Sequence, residues 1–309
     1  MSALTAAVAS TLASGRSLTA QESQPTFRTG VAVVPINAVV RDARNRIVRN
    51  LTPSDFHVYE RGVRRPIVEF RAHDDAPISV AFLFDTSGSM PVANNLQKGK
   101  ALVGAFLAHV NRDIDQVALF TFDRTLRHQV PFTSNPDDVR RALSHVTAWG
   151  LTSLYDAIAD TAGLVAERTG SSHAVVVITD GDDTSSTLSP ADVTALASRI
   201  DVPVYVVAVV SPLDHPGRTT AVVPADADGA LSRLAARTGG DLMYVSAPER
   251  ADDAIRDLLT MLRQQYFLAI EAAATPGSYS LEVRTTRPGL TVRSRSAYVQ
   301  GAGRSISED

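Results

Sequence analysis

The chain of 309 residues has no cysteine. That excludes disulfides, zinc–thiolate centres and thiol nucleophiles, so the fold rests on packing alone and a bound metal must be held by oxygen or nitrogen. Lysine is nearly absent as well: Lys98 and Lys100 are the only two, and arginine carries the cationic charge. No charge of one sign is in excess. Thirty basic and 33 acidic residues leave a formal net charge of −3, so nothing draws the chain globally to nucleic acid or an anionic membrane. The short pairs Arg64-Arg65 and Arg140-Arg141 read as solvated faces. Long apolar runs are missing too. The longest, residues 202–210, contains Pro203 and falls far short of the ~20 apolar residues that cross a bilayer as a helix.

What is present sorts into zones. Residues 1–20 are rich in Ala, Ser, Thr and Leu and end in small residues before Gln21-Glu22-Ser23. They read either as the apolar core and cleavage region of a signal peptide without its basic start or as a disordered tail, and residues 1–26 are set outside the fold. Residues 27–73 carry short strands and turns, with Arg61-Gly62 as a tight turn after an alternating strand at 56–60. Residues 74–264 change character. The runs at 78–84, 117–120, 173–178 and 204–210 are apolar without alternation, as strands buried on both faces are. Helical periodicity fills the gaps at 92–110, 137–146, 153–168, 190–200, 228–238 and 248–264, with Asn135, Ser189-Pro190 and Pro248 as helix starts. Strands return over 265–300, and 301–309 is a tail.

Alternating strand and helix predicts a doubly wound, mostly parallel α/β sheet flanked by helices. The two strand zones at the ends are each too small to bury a core. They are expected to pack together as one small β-sandwich, with the α/β domain inserted between them.

In open α/β sheets, sites form at the carboxyl ends of the strands. Three loops there carry oxygen donors. Asp85-Thr86-Ser87-Gly88-Ser89 follows the first α/β strand, and its alternate positions can turn Asp85, Ser87 and Ser89 toward one point, with Gly88 allowing a tight turn. Gly150-Leu151-Thr152-Ser153 opens a helix, which Thr152 or Ser153 could cap. Thr179-Asp180-Gly181-Asp182-Asp183 follows the strand at 173–178; Asp182 and Asp183 read as solvated loop carboxylates. Oxygen-only donors suit a hard cation such as Mg²⁺, with Mn²⁺ or Ca²⁺ possible. Two carboxylates and three hydroxyls balance a dication only roughly and cannot complete six-coordination, so water or an outside ligand must enter.

Asp85-x-Ser87-x-Ser89, then Thr152, then Asp180-Gly181, each on its expected loop, resemble the metal-ion-dependent adhesion site of von Willebrand factor type A domains. The resemblance covers about residues 76–262. It implies that Ser87, Ser89 and Thr152 coordinate the ion directly or nearly so, that Asp85 and Asp180 act directly or through water, and that a protein partner's Asp or Glu carboxylate completes the shell. The segments at 27–31, 51–56 and Tyr298-Val299 are similar to a group of exported bacterial proteins with this domain. The expectation is therefore a non-enzymatic, metal-dependent binding module, exported to the periplasm, cell surface or medium. Two alternatives stand beside it. A metal-dependent, phosphatase-like hydrolase would want a second acid where Ser87 stands and a base near Ser87 or Ser89, yet the seven His are scattered. A scaffold with a vestigial site is the other. The long Pro-rich loop at 211–226 rims the site or is a plain surface loop.

Overall fold

The computed structural model describes residues 32–73, 75–168, 172–181, 183–200, 202–209, 229–246 and 251–301. The signal-like segment 1–26, the stretch 27–31, Asp182, the loop 211–226, the helix start at Pro248 and most of the tail at 301–309 lie outside the described residues.

In chain order, β1 (Val33–Arg41), β2 (Phe56–Glu60), β3 (Val63–Arg65) and β4 (Glu69–Ala72) come first. A central layer follows: β5 (Ile78–Asp85), α1 (Asn95–Leu107), β6 (Gln116–Phe122), β7 (Leu126–Thr133), α2 (Pro136–His145), α3 (Leu154–Ala166), β8 (Ser172–Thr179), α4 (Pro190–Ile200), β9 (Val204–Val209), α5 (Ala230–Thr238), β10 (Leu242–Val245) and α6 (Ala251–Arg263). The chain closes with β11 (Tyr266–Glu271), β12 (Gly277–Thr285), β13 (Thr291–Ser294) and β14 (Ala297–Gln300).

The central sheet has the order β10-β9-β8-β5-β6-β7. All neighbours in it are parallel except β6 and β7. Its apolar runs lack alternation because both faces are covered. Successive residues of a strand point to opposite sides. Val80, Phe82 and Phe84 of β5 accordingly enter the core shared with α1, α2 and α6. Ala81 and Leu83 enter the core shared with α3, α4 and α5. Every residue of β5 is buried. Strand β7 escaped the sequence pattern because it is an edge: Arg127, His128 and Gln129 face solvent there. Strand β10 has only four residues, too few to show a period.

The end strands do pair with each other. One antiparallel sheet runs β13-β1-β11-β4, the other β14-β12-β2-β3. Ile36, Val40, Phe56, Val58, Leu268, Leu281 and Tyr298 pack between them. Arg61 and Gly62 turn β2 into β3 at positive φ, 49° and 78°. The return strand then breaks at Pro66, and its two halves join different sheets. The chain enters and leaves the α/β layer side by side, where the His73 N–H donates to the Gln265 carbonyl at 2.9 Å. Arg41 and Arg293 of the sandwich reach Asp241 before β10 at 2.7 and 3.1 Å.

Candidate metal centre

Strand β5 is the first of the layer, β6 lies on one side of it and β8 on the other. The strand order therefore reverses at β5, and a crevice opens there outside the carboxyl ends of the strands. Asp85 is the last residue of β5 and Asp180 the first after β8, so the two candidate carboxylates flank that point from adjacent strands.

Hydrogen bonds hold the three loops together pairwise. Between the first and third, Thr179 Oγ1 donates to Asp85 Oδ2 at 2.6 Å. Between the first and second, the Gly88 N–H donates to the Gly150 carbonyl at 2.9 Å. A side chain at 88 would bring a Cβ to 3.3 Å from that same carbonyl, a close contact that glycine avoids. Between the second and third, the Thr152 carbonyl accepts from Thr184 N and Ser185 N at 2.9 and 3.0 Å. Thr152 N in turn donates to Thr184 Oγ1 at 3.0 Å.

Within the first loop, the Ser87 N–H donates to Asp85 Oδ1 at 2.8 Å, and the Ser87 and Ser89 hydroxyl oxygens lie 3.0 Å apart. Asp85, Ser87 and Thr152 are buried, while Ser89 and Asp180 are half-buried. Burial pushes the Asp85 carboxyl up to about 6, against the hydrogen bonds from Thr179 and Ser87, and the neighbouring Asp180 charge adds to the push. A cation against these oxygens would favour the ionised carboxylate that burial disfavours. Among the described residues no three His, Cys, Asp or Glu side chains converge as a metal site. The donor set at this crevice is instead carboxylate and hydroxyl oxygen, which fits a hard cation with open positions.

Two features differ from the sequence reading. Asp183 is not a plain solvated carboxylate. Its Oδ1 accepts from Leu154 N at 2.8 Å and from Ser186 Oγ at 2.7 Å, so it caps α3 from the next loop, where a negative charge suits the helix N-terminus. Ser153 occupies the N-cap position but makes no capping bond with its side chain; its hydroxyl meets Ser185 Oγ at 2.8 Å. Thr179, which fixes Asp85, was also missed, because its role depends on a strand 94 residues away.

Beside the first two loops lies a polar cleft of about 280 Å³, lined by Thr86, Asp123, Arg127, Gln129, His145 and Trp149 among others. Arg127 pairs with Asp123 at 2.8 Å. Hydrogen bonding from Arg127 and Thr125 overcomes the opposing effect of burial and holds the Asp123 carboxyl below its usual range.

Residues 80–182 match the model of the von Willebrand factor type A domain, and this span contains all five candidate donors. The chain carries a von Willebrand factor type A domain. No curated protein sequence matches the chain at a significant level. Among solved structures, proximal thread matrix protein 1 from the mussel byssus, with a zinc-occupied MIDAS motif, is similar at 18% identity and a TM-score of 0.50, over 67% of this chain and 50% of that one. BatB from Bacteroides thetaiotaomicron is 18% identical over 60% of this chain and 98% of its own, with a TM-score of 0.46. A von Willebrand factor type A protein from Catenulispora acidiphila is 11% identical over 89% and 76%, with a TM-score of 0.48. At 18% identity the likeness to the mussel protein is one of fold. Among the described residues no helix is long and apolar enough to cross a membrane.

Proposed function

We propose that the von Willebrand factor type A domain of this chain binds a divalent cation through Asp85, Ser87, Ser89, Thr152 and Asp180, and through it an acidic group of a protein partner. One observation carries the reading. A buried carboxylate at the strand-order reversal stands against a pair of hydroxyl oxygens 3.0 Å apart, in a loop bonded to both neighbouring loops.

Bound there, a hard dication such as Mg²⁺, or Mn²⁺ or Ca²⁺, supplies an electrophilic centre with open coordination positions. The chain's own residues then do the following. Asp85, held by Thr179 and the Ser87 N–H, presents its carboxylate in a fixed orientation. The Ser87, Ser89 and Thr152 hydroxyls add donor oxygens without adding charge. Asp180 supplies the second negative charge from the β8 side. Two acids balance the dication roughly, leaving it able to attract a third carboxylate from outside. A site built only to retain its metal would carry more anionic ligands. Position 87 is Ser, so the second acid of a phosphatase-like site is lacking, which favours binding over turnover.

Isothermal titration of Mg²⁺ and Mn²⁺ into metal-free protein tests this. Saturable one-site binding, lost in Asp85→Ala and weakened in Ser89→Ala with the circular dichroism of both variants unchanged, is the expected result. Equal binding by wild type and both variants would overturn the assignment.

A further inference from the structure

Among the described residues eight large apolar side chains are exposed, and four of them, Val92, Trp149, Leu151 and Leu188, stand on the loops of the candidate metal centre. Trp149 is 80% exposed, Val92 65% and Leu151 47%. Val92, Trp149 and Leu151 sit close in sequence or by hydrogen bond to the donors. The Val92 N–H donates to the Ser89 carbonyl at 2.8 Å. Trp149 and Leu151 flank Gly150, and Leu151 immediately precedes Thr152. Leu188 is on the loop that caps α3, its N–H bonded to Asp156 Oδ1 at 2.9 Å.

The backbone under these side chains is fixed. The Trp149 N–H donates to the Thr86 carbonyl at 2.8 Å, and the next residue's carbonyl accepts from Gly88. An indole held on a pinned loop yet left in water is surface prepared for burial in a complex, because little ordering remains to be done on binding. Aromatic anchors of this kind concentrate binding energy in protein interfaces.

We propose that the partner completing the metal shell is a protein segment in which the acidic residue has an apolar, preferably aromatic, neighbour, and that Trp149 with Leu151 and Val92 receives that neighbour. The inference rests on the metal-bridged reading above. Charge complementarity sets the acid against the cation, and because Leu151 directly precedes the candidate donor Thr152, the residue beside that acid comes within reach of the Trp149–Thr152 loop. A bare anion, such as an inorganic phosphate or a uronate, would use the cation and leave the rim wet. An acid beside an aromatic residue uses both.

Trp149 is the only tryptophan in the chain, so its emission reports on this rim alone. Three blocked tetrapeptides are titrated into Mg²⁺-loaded protein: acetyl-Gly-Phe-Asp-Gly-amide, acetyl-Gly-Asp-Phe-Gly-amide and acetyl-Gly-Gly-Asp-Gly-amide. The expected result is a blue shift or quenching of emission with at least one Phe peptide, and affinity at least tenfold above that of the Gly peptide by calorimetry. Excess EDTA should abolish the binding. Trp149→Ala should bind Mg²⁺ as wild type does and lose the preference for Phe. Equal affinity of all three peptides, or no binding by protein that calorimetry shows to be metal-loaded, overturns the apolar rim and leaves the metal site standing. Failure of Mg²⁺ and Mn²⁺ to bind overturns the metal-bridged reading itself. Phe preference that persists in EDTA overturns the coupling of the rim to the metal.

Discussion

The Gly88 N–H donates to the Gly150 carbonyl at 2.9 Å, joining the loop that holds Asp85, Ser87 and Ser89 to the loop that holds Thr152. Gly150 has φ +108°, and a Cβ there would lie 3.4 Å from the Asp123 Cβ. An L side chain at such a φ costs about 1–3 kcal/mol. Gly150→Ala is therefore expected to lower the thermal midpoint by several degrees, at roughly 2–4 °C per kcal/mol for a domain of this size. It should also weaken Mg²⁺ binding about tenfold as the two loops part. Gly104→Ala in α1, where nothing lies within 4 Å of the added Cβ, is the control and should leave Mg²⁺ affinity unchanged. Mg²⁺ affinity in Gly150→Ala equal to wild type would show that this bond does not couple the loops.

The parts of the fold that are legible in the sequence are those set by local pattern. The unbroken apolar run of β5 and the strict alternation of β12 are each dictated by which faces are covered. The three loops that carry the five candidate donors are legible because polar residues and glycine interrupt the apolar pattern there. What could not be read depends on distant partners. Asp183 looks like any loop acid until Leu154, 29 residues earlier, is seen to donate to it. Arg127, His128 and Gln129 look like loop residues until β6 is seen to pair beside them. The exposure of Val92, Trp149, Leu151 and Leu188 was equally hidden, because they share no period and lie on three separate loops.

Asp183 should matter to α3 and, through it, to the site. Removing an N-cap acceptor costs typically about 1 kcal/mol, and Asp183→Ala leaves the Leu154 N–H and the Ser186 hydroxyl without this carboxylate. Thr184 and Ser185, the next two residues, are the donors to the Thr152 carbonyl, so the same change should loosen Thr152. The expected outcome is a drop of a few degrees in thermal midpoint together with weaker Mg²⁺ binding. Asp183→Asn keeps an acceptor oxygen and should recover most of both. A variant that loses stability but binds Mg²⁺ as wild type does would show that capping and metal binding are separate.

The sandwich contains its own pH sensor of stability. Hydrogen bonds from Arg287, then from the Thr52 N–H, lower the Asp55 carboxyl to about 2, below its usual 3.8. The Arg287 bonds are 2.8 and 3.0 Å long. A depressed folded-state value means that Asp55 binds its proton more readily when unfolded. Its stabilisation is then fully present above pH ~4 and is lost as pH falls toward 2. Thermal midpoints at pH 7, 4 and 2 check this. Wild type should exceed Asp55→Asn at pH 7, and the gap should close between pH 4 and 2. A gap that stays constant across that interval would mean that Asp55 acts by packing rather than by charge.

The join between the sandwich and the α/β layer makes the sharpest contrast. Asp241 is 2% exposed. Arg41 and Arg293 meet it at 2.7 and 3.1 Å, and burial nonetheless pushes its carboxyl upward. Removing one partner of a buried pair costs about 3–5 kcal/mol, because the remaining charge stays out of water. With Arg293 still in place, Arg41→Ala in the full chain should fall at the low end, about 3 kcal/mol, and lower the midpoint by roughly 6–12 °C. Deleting the sandwich altogether is a different perturbation, since Asp241 then loses its arginines and its cover together and is solvated again. A fragment of residues 74–264 should therefore fold and bind Mg²⁺ with the affinity of the full chain. It will be less stable, because Val39 of β1 packs in the same core as α6 and its contacts there are lost. Circular dichroism and calorimetry on the fragment decide the matter: an unfolded fragment would mean that the sandwich and the α/β layer are one cooperative unit rather than an insert and its host.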